Sequence, residues 1–309
     1  MFISWICIIV FLLLLFFPTL SVQGASQGLL LWYQIVVPTL APFMLVTQLI
    51  QAAGGIRMLV KPVYPVLHRL YHTSVNGCYI LLCGLLCGYP VGARLCADFR
   101  QRGQISPLEA DCLLAICNHP SPMFLLGYVK GQLAAPGILL PMLTAVYFPV
   151  PILYYMAVRL YSRHTPQEAP HENPDAARKE TSIAGSISFG DMILSTSETL
   201  VIIGGTLMLF SILIVWIQQI GLLNGHLRAL ITGFLEITTG VREICQTFPV
   251  HKRLMPTVLA VTFGGCSGIL QTYGVIKNAG LSVRHYIGWK ILHAGLSAAI
   301  FTCMANYVL

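Results

Sequence analysis

Apolar residues in this chain come in long runs rather than at amphipathic intervals, and short polar breaks containing Gly or Pro cut the runs. The runs at 2–20, 28–53, 134–160, 188–221, 222–245, 254–275 and 286–307 each approach the roughly 20 residues that cross a bilayer as a helix. Nothing alternates with the period of a strand, so the pattern predicts an all-α, polytopic membrane protein. The first run is followed by SVQGAS, which is like a signal-peptide cleavage region, but no basic segment precedes it and its core is long. A retained N-terminal transmembrane helix over 1–20 is therefore favoured over a cleaved signal.

The stretch 88–124, GYPVGARLCADFRQRGQISPLEADCLLAICNHPSPMF, does not fit a simple span. Ser106-Pro107-Leu108-Glu109 has an N-cap, a Pro at the first helical position and a Glu that completes a capping box. A helix from Ser106 has to stop near Cys117, because Asn118-His119-Pro120 cannot continue it. About 12 residues rise only about 18 Å, too little for a hydrocarbon core of about 30 Å. Ser121-Pro122 then starts another helix. The expectation is a discontinuous, re-entrant helix with a fresh N-terminus at membrane depth.

The second half carries the same kind of interruption. GYPVGARLCADF from Gly88 has its counterpart in LEITTGVREICQ from Leu235, and NHPSPMFLLGYV from Asn118 in GGCSGILQTYGV from Gly264. Two structural repeats are predicted, 21–161 and 186–309, joined by a Pro-rich, mixed-charge hydrophilic linker at 162–185. Paired broken segments in two halves are the sequence sign of a transporter site.

Composition agrees. Of 309 residues, 56% are apolar and 9% charged, against about 25% charged in soluble domains. The formal charge of +7 is spread over many loops, which gives no basic run for nucleic acid and leaves the lipid bilayer as the expected surroundings. If nine full spans are assumed, Lys and Arg divide almost evenly between the two sides, as re-entrant segments would cause. Ten cysteines sit mostly inside apolar runs with no CxxC pair, so they read as packing residues rather than as a metal site or disulfide framework. With no nucleotide loop, catalytic triad or metal constellation in view, the chain is not expected to be an enzyme or to carry a cofactor.

The candidate chemistry lies at the breaks. A new helix N-terminus offers unpaired N–H groups and the positive end of its dipole, and Ser121 and Ser267 are each expected at such a point. The candidate binding residues are Gly92, Asn118, Ser121 and Pro122 in the first half, with Glu236, Thr239, Gly240, Gly265 and Ser267 in the second. Glu236 lies deep in an apolar run, where an uncompensated charge costs several kcal/mol. It is read either as a ligand or coupling-proton site or as half of a structural pair with Arg242. Arg94 and Asp98, at i and i+4, are further charge partners. A proton or sodium ion is the candidate coupling ion, and a homo-oligomer is an allowed assembly.

The stretches GYPVGARL, NHPSPMFLLG, TLVIIGGTLMLFS, GFLEITTG and FGGCSG resemble the YlbJ-type sporulation integral membrane proteins, also called stage V sporulation protein V, over nearly the whole chain from about Gly28. That family belongs to the nucleoside recognition or Gate-domain group, similar to concentrative nucleoside transporters and to the membrane part of FeoB ferrous-iron proteins. The resemblance implies an inverted-repeat fold with hairpin-like broken helices. It also implies the movement of a small anion, dipicolinic acid, across the outer forespore membrane of a bacterium. The competing expectations are a non-transporting scaffold or gating subunit of a sporulation complex, and a nucleoside-type transporter.

Overall fold

The computed structural model describes residues 2–134, 137–162, 188–219 and 223–308. Among them every regular element is a helix. In chain order these are α1 (Phe2–Phe16), α2 (Pro18–Ala52), α3 (Ile56–Val60), α4 (Tyr64–Tyr71), α5 (Val75–Cys87), α6 (Val91–Gln101), α7 (Pro107–Leu114), α8 (122–133), α9 (Leu139–Tyr161), α10 (Phe189–Gln218), α11 (Gly225–Leu235), α12 (Ile237–Thr247), α13 (Val250–Phe263), α14 (Gly265–Ile276) and α15 (Val283–Val308). Nearly all of the predicted linker, 163–185, lies outside the described residues.

Five helical segments are long and apolar enough to cross a bilayer: α2, α9, α10, α13 continued into α14, and α15. The pair α4 and α5, bent by 101°, would make a sixth. Exposed faces carry Val22, Tyr33, Leu194, Val201 and Ile291, which is the surface a hydrocarbon solvent accepts. The chain is an integral membrane protein.

One expected span is corrected. The 2–20 run is not one helix: α1 ends at Phe16, and Pro18 opens α2, which continues for 35 residues. Pro38 and Pro42 are accommodated without ending it, and a π-helical turn at Trp32–Val36 sits just ahead of Pro38, a usual place for the ladder to widen. The 222–245 run, expected to be interrupted over Glu236-Ile237-Thr238-Thr239-Gly240, is a hairpin. It breaks at Glu236, whose backbone is extended (φ −147°, ψ 127°), and α12 turns back on α11.

Glycine decides how closely these elements approach. A Cβ at Gly24 would lie 2.6 Å from Ile212 Cα, and one at Gly28 would lie 2.8 Å from Met208 Cα. So α2 lies antiparallel along α10, pinned further on by the Trp32 indole N–H donating to Leu200 O (2.7 Å) and the Gln48 amide donating to Thr196 Oγ1 (2.9 Å). In the α5–α6 hairpin, a Cβ on either Gly84 or Gly92 would overlap the Cys117 carbonyl. In the α11–α12 hairpin, a Cβ on Gly240 would overlap the Gly233 backbone.

Arg94 fastens the first hairpin to α10. Its guanidinium donates to Ser195 Oγ (2.8 Å) and to Thr199 Oγ1, while Nε lies 3.7 Å from Asp98 Oδ2. The i, i+4 pair with Asp98 is therefore present, but it serves this junction. The largest buried cluster surrounds α5–α7 and includes Tyr79, Phe99 and Leu113. A second joins α8 and the first half of α9 to α12 and α13 through Leu125, Met142, Val241 and Val258.

Candidate solute-binding site

The helix breaks surround one cavity of about 480 Å³, within the range of about 300–1,000 Å³ typical of small-molecule sites. Four regions line it. The π-helical turn of α2 contributes Gln34, Ile35 and Val36, followed by Thr39. The turn between α5 and α6 contributes Gly88 and Tyr89. The start of α8 contributes Pro120, Ser121 and Phe124, and its own π-helical turn adds Gly127 and Tyr128. From the second half come Glu236, Ile237, Thr238, Gly264, Ser267 and Gln271. Both π-helical turns thus face the cavity, in keeping with the tendency of such turns to occur at functional sites.

Three helices begin on this wall, and their first turns differ. At α8, Ser121 Oγ accepts from the Phe124 N–H (3.2 Å), the N-cap expected from Ser-Pro. At α12, Glu236 is the cap: Oε1 accepts from Thr238 N–H (2.8 Å) and Oε2 from Thr239 N–H (2.7 Å). Glu236 is 2% exposed, and its carboxyl group takes the N-terminal end of its own helix as partner. It makes no ion pair with Arg242, which is exposed. At α14, Gly264 precedes the helix with φ +88° and Gly265 follows with φ +70°, and no side chain caps the first turn. Both glycines are required there, since an L side chain is strained in this region.

The expected binding residues separate into two groups. Ser121, Glu236 and Ser267 line the cavity. Ser267 does so from within the first turn of α14 rather than as its cap, and its Oγ accepts from the Gln271 amide (3.0 Å). The expectation failed there because the two glycines, not the serine, make the break. Gly92, Gly240, Asn118, Pro122, Thr239 and Gly265 do not line it. Gly92 and Gly240 are helix-crossing points. A Cβ on Gly265 would lie 3.1 Å from Leu235 O and 3.4 Å from Glu236 Cα, so the glycine sets α14 against the tip of the second hairpin. Thr239 contributes its backbone N–H to the Glu236 cap.

Asn118 lies behind the wall in a buried polar cluster. Its side-chain amide donates to Thr272 Oγ1 (2.9 Å) and to Tyr286 Oη (2.8 Å), and its main-chain carbonyl accepts from Lys290 Nζ (3.3 Å). Lys290 is 1% exposed. It also donates to Tyr89 Oη (2.6 Å) and lies 4.8 Å from the centre of that ring. No carboxylate stands within ion-pairing distance of it among the described residues. Nearby, the His119 and His293 rings meet edge to face at 4.9 Å, and His293 Nε2 is 2.8 Å from Val146 O. Tyr89 and Lys290 are the residues that sequence reasoning passed over. The available signal was a lysine inside an apolar run, which marks a functional position as readily as Glu236 does.

Two tyrosines secure the α8 side. Tyr128 Oη donates to Thr238 O (2.7 Å), joining α8 to the first turn of α12. Tyr147 Oη donates to Pro120 O (2.7 Å), holding the chain just ahead of the Ser121 cap.

The chain is similar to the sporulation integral membrane protein YlbJ of Bacillus subtilis (strain 168), with 26% identity across 93% of this chain and 78% of the relative. No family model matches the chain, and no solved structure matches it.

Proposed function

We propose that this YlbJ-type integral membrane protein of sporulation is a permease for a small anionic solute, with dipicolinate as the first candidate. One observation carries the reading: two hairpin turns, the start of α8 and the break before α14 converge on one cavity within a membrane protein. Broken helices that meet around a cavity are how transporters present backbone groups to a solute without exposing them to lipid. The same order of elements, a hairpin followed by an interrupted helical segment, occurs in α5–α8 and in α11–α14. This order supports a two-repeat plan like that of concentrative nucleoside transporters.

Dipicolinate, a flat aromatic dicarboxylate, suits both faces of the cavity. Apolar residues such as Phe43, Leu207 and Phe124 face its ring, while Ser121, Tyr89 and Gln271 are available to its carboxylates. The outer forespore membrane is the compartment this role requires.

Uptake of labelled dipicolinate by proteoliposomes tests the reading, with wild type compared with Glu236→Gln. Wild-type uptake above empty liposomes is expected, with a reduced rate in the variant. Absence of uptake of dipicolinate, and of uridine under an imposed proton or sodium gradient, would overturn the permease and favour a scaffold in a sporulation complex.

A further inference from the structure

A buried lysine without a counter-ion among the described residues stands one hydrogen bond behind the cavity. Lys290 is fully enclosed, its Nζ donates to the Tyr89 hydroxyl and to the Asn118 main-chain carbonyl, and no carboxylate among the described residues pairs with it. A charge at this depth persists only where something compensates it, and a phenol oxygen and an amide carbonyl supply dipoles but no charge.

Tyr89 links that charge to the cavity. Tyr89 and Gly264 both line the cavity, and the Tyr89 hydroxyl lies 2.8 Å from where a Cβ on Gly264 would be. The oxygen accepts from Lys290, which leaves the O–H as a donor. Its acceptors among the described residues are poor: Val261 O at 3.3 Å and Thr262 O at 3.4 Å, beyond the usual O–H···O range of about 2.5–3.0 Å. A phenol whose oxygen accepts from an ammonium is a strengthened donor, and this one lacks a good acceptor.

The geometry points to Tyr89, backed by Lys290, as the subsite that takes a carboxylate group of the solute. The ligand oxygen accepts the Tyr89 O–H at normal length in place of the two long contacts, and Lys290 becomes the counter-charge across the phenol. The proton stays on Tyr89 throughout. Glu236, on another part of the wall, is satisfied by its own helix, so the carboxylate is directed to the Tyr89 side. A solute with one carboxylate is sufficient for this subsite. A second acidic group would lie towards Ser121 and Gln271.

This inference rests on reading the cavity as a solute site, and it is tested by equilibrium binding, separately from transport. The probes are pyridine-2,6-dicarboxylate and its neutral dicarboxamide, titrated against the full chain in lipid nanodiscs. Wild type is expected to prefer the dicarboxylate by about tenfold or more. Tyr89→Phe and Lys290→Met are each expected to weaken the dicarboxylate much more than the dicarboxamide, so that the preference falls to near unity. The double variant should be no worse than the weaker single variant, because the two act as one unit. Lys290→Arg should retain part of the preference, and it keeps the test open if Lys290→Met does not fold.

Equal loss of both probes in Tyr89→Phe would make the pair structural and overturn the inference. So would a wild type that does not distinguish the probes, or that binds neither. In those cases measured uptake of any solute would leave the permease standing. Discrimination as expected, with no uptake, would instead remove the permease and keep the subsite.

Discussion

The two hairpins share a plan and differ in what their turns carry. In α5–α6, Gly84 and Gly92 receive the Cys117 carbonyl between them, and the turn Gly88-Tyr89-Pro90 projects a phenol. In α11–α12, Gly233 meets Gly240 directly, and the turn is a single residue, Glu236, whose carboxyl group caps the second arm. The first hairpin encloses a third piece of chain and leaves its turn residue to bond across the molecule to α15. The second closes on itself and satisfies its turn residue locally. Glycine at the crossing therefore sets how the arms approach, whereas the turn residue decides whether a hairpin offers a group to the cavity or consumes one.

The largest effect expected from breaking this parallel is at the crossings. Gly92→Ala forces a methyl group into the Cys117 carbonyl and Gly240→Ala forces one into the Gly233 backbone. Neither neighbour can rotate away, so each is expected to cost about 3 kcal/mol or more, read as lost thermal stability in detergent. Gly127→Ala is the control, because its Cβ would meet nothing within 4 Å. Equal stability of all three variants would refute the crossing account.

Glu236→Ala comes next. It uncaps two N–H groups at a buried helix start, and a loss of about 1–2 kcal/mol is expected. Glu236→Gln should recover part of it, since an amide oxygen accepts while its NH₂ does not. If uptake falls in Glu236→Gln with stability intact, the carboxyl group has a role beyond capping.

Arg94→Ala removes the fastening of the first hairpin to α10, with an expected loss of about 1–2 kcal/mol. Arg94→Lys restores at most one of its two hydroxyl partners. Stability unchanged in Arg94→Ala would show that the junction is held by apolar packing alone.

The smallest effects sharpen the comparison of the two serines. Ser121→Ala loses an N-cap, about 1 kcal/mol. Ser267→Ala loses only the acceptor of the Gln271 amide and is expected to cost less. Solute binding unchanged in the double variant would exclude both serines from recognition.

Legibility in the sequence followed the range of the interaction. Ser106 and Ser121 were readable as caps because an N-cap contacts a residue three positions on, and both bonds are present, Ser106 Oγ from Glu109 N–H and Ser121 Oγ from Phe124 N–H. The capping box at Ser106 was only half right. The Glu109 carboxyl group bonds Thr73 Oγ1 and Ser74 N–H, where it supports the start of α5. Ser267 was misplaced by the same local logic, because two glycines with positive φ ended the preceding helix earlier than the serine suggested. Glu236 stood out because a carboxylate in an apolar run needs a partner, but the partner proved to be its own helix.

Taken alone, the sequence determined the helical, membrane-embedded character of this protein, the break at Asn118-His119-Pro120 and the caps that start α7 and α8. These depend on composition and on contacts within one helical turn, where covalent geometry fixes what can meet. Only the tertiary structure decided which breaks face a common cavity, which glycines are crossings, and that Lys290 bonds to Tyr89 and Asn118. Those pairings join residues far apart along the chain. They arise from the packing of whole helices, and no local propensity encodes them.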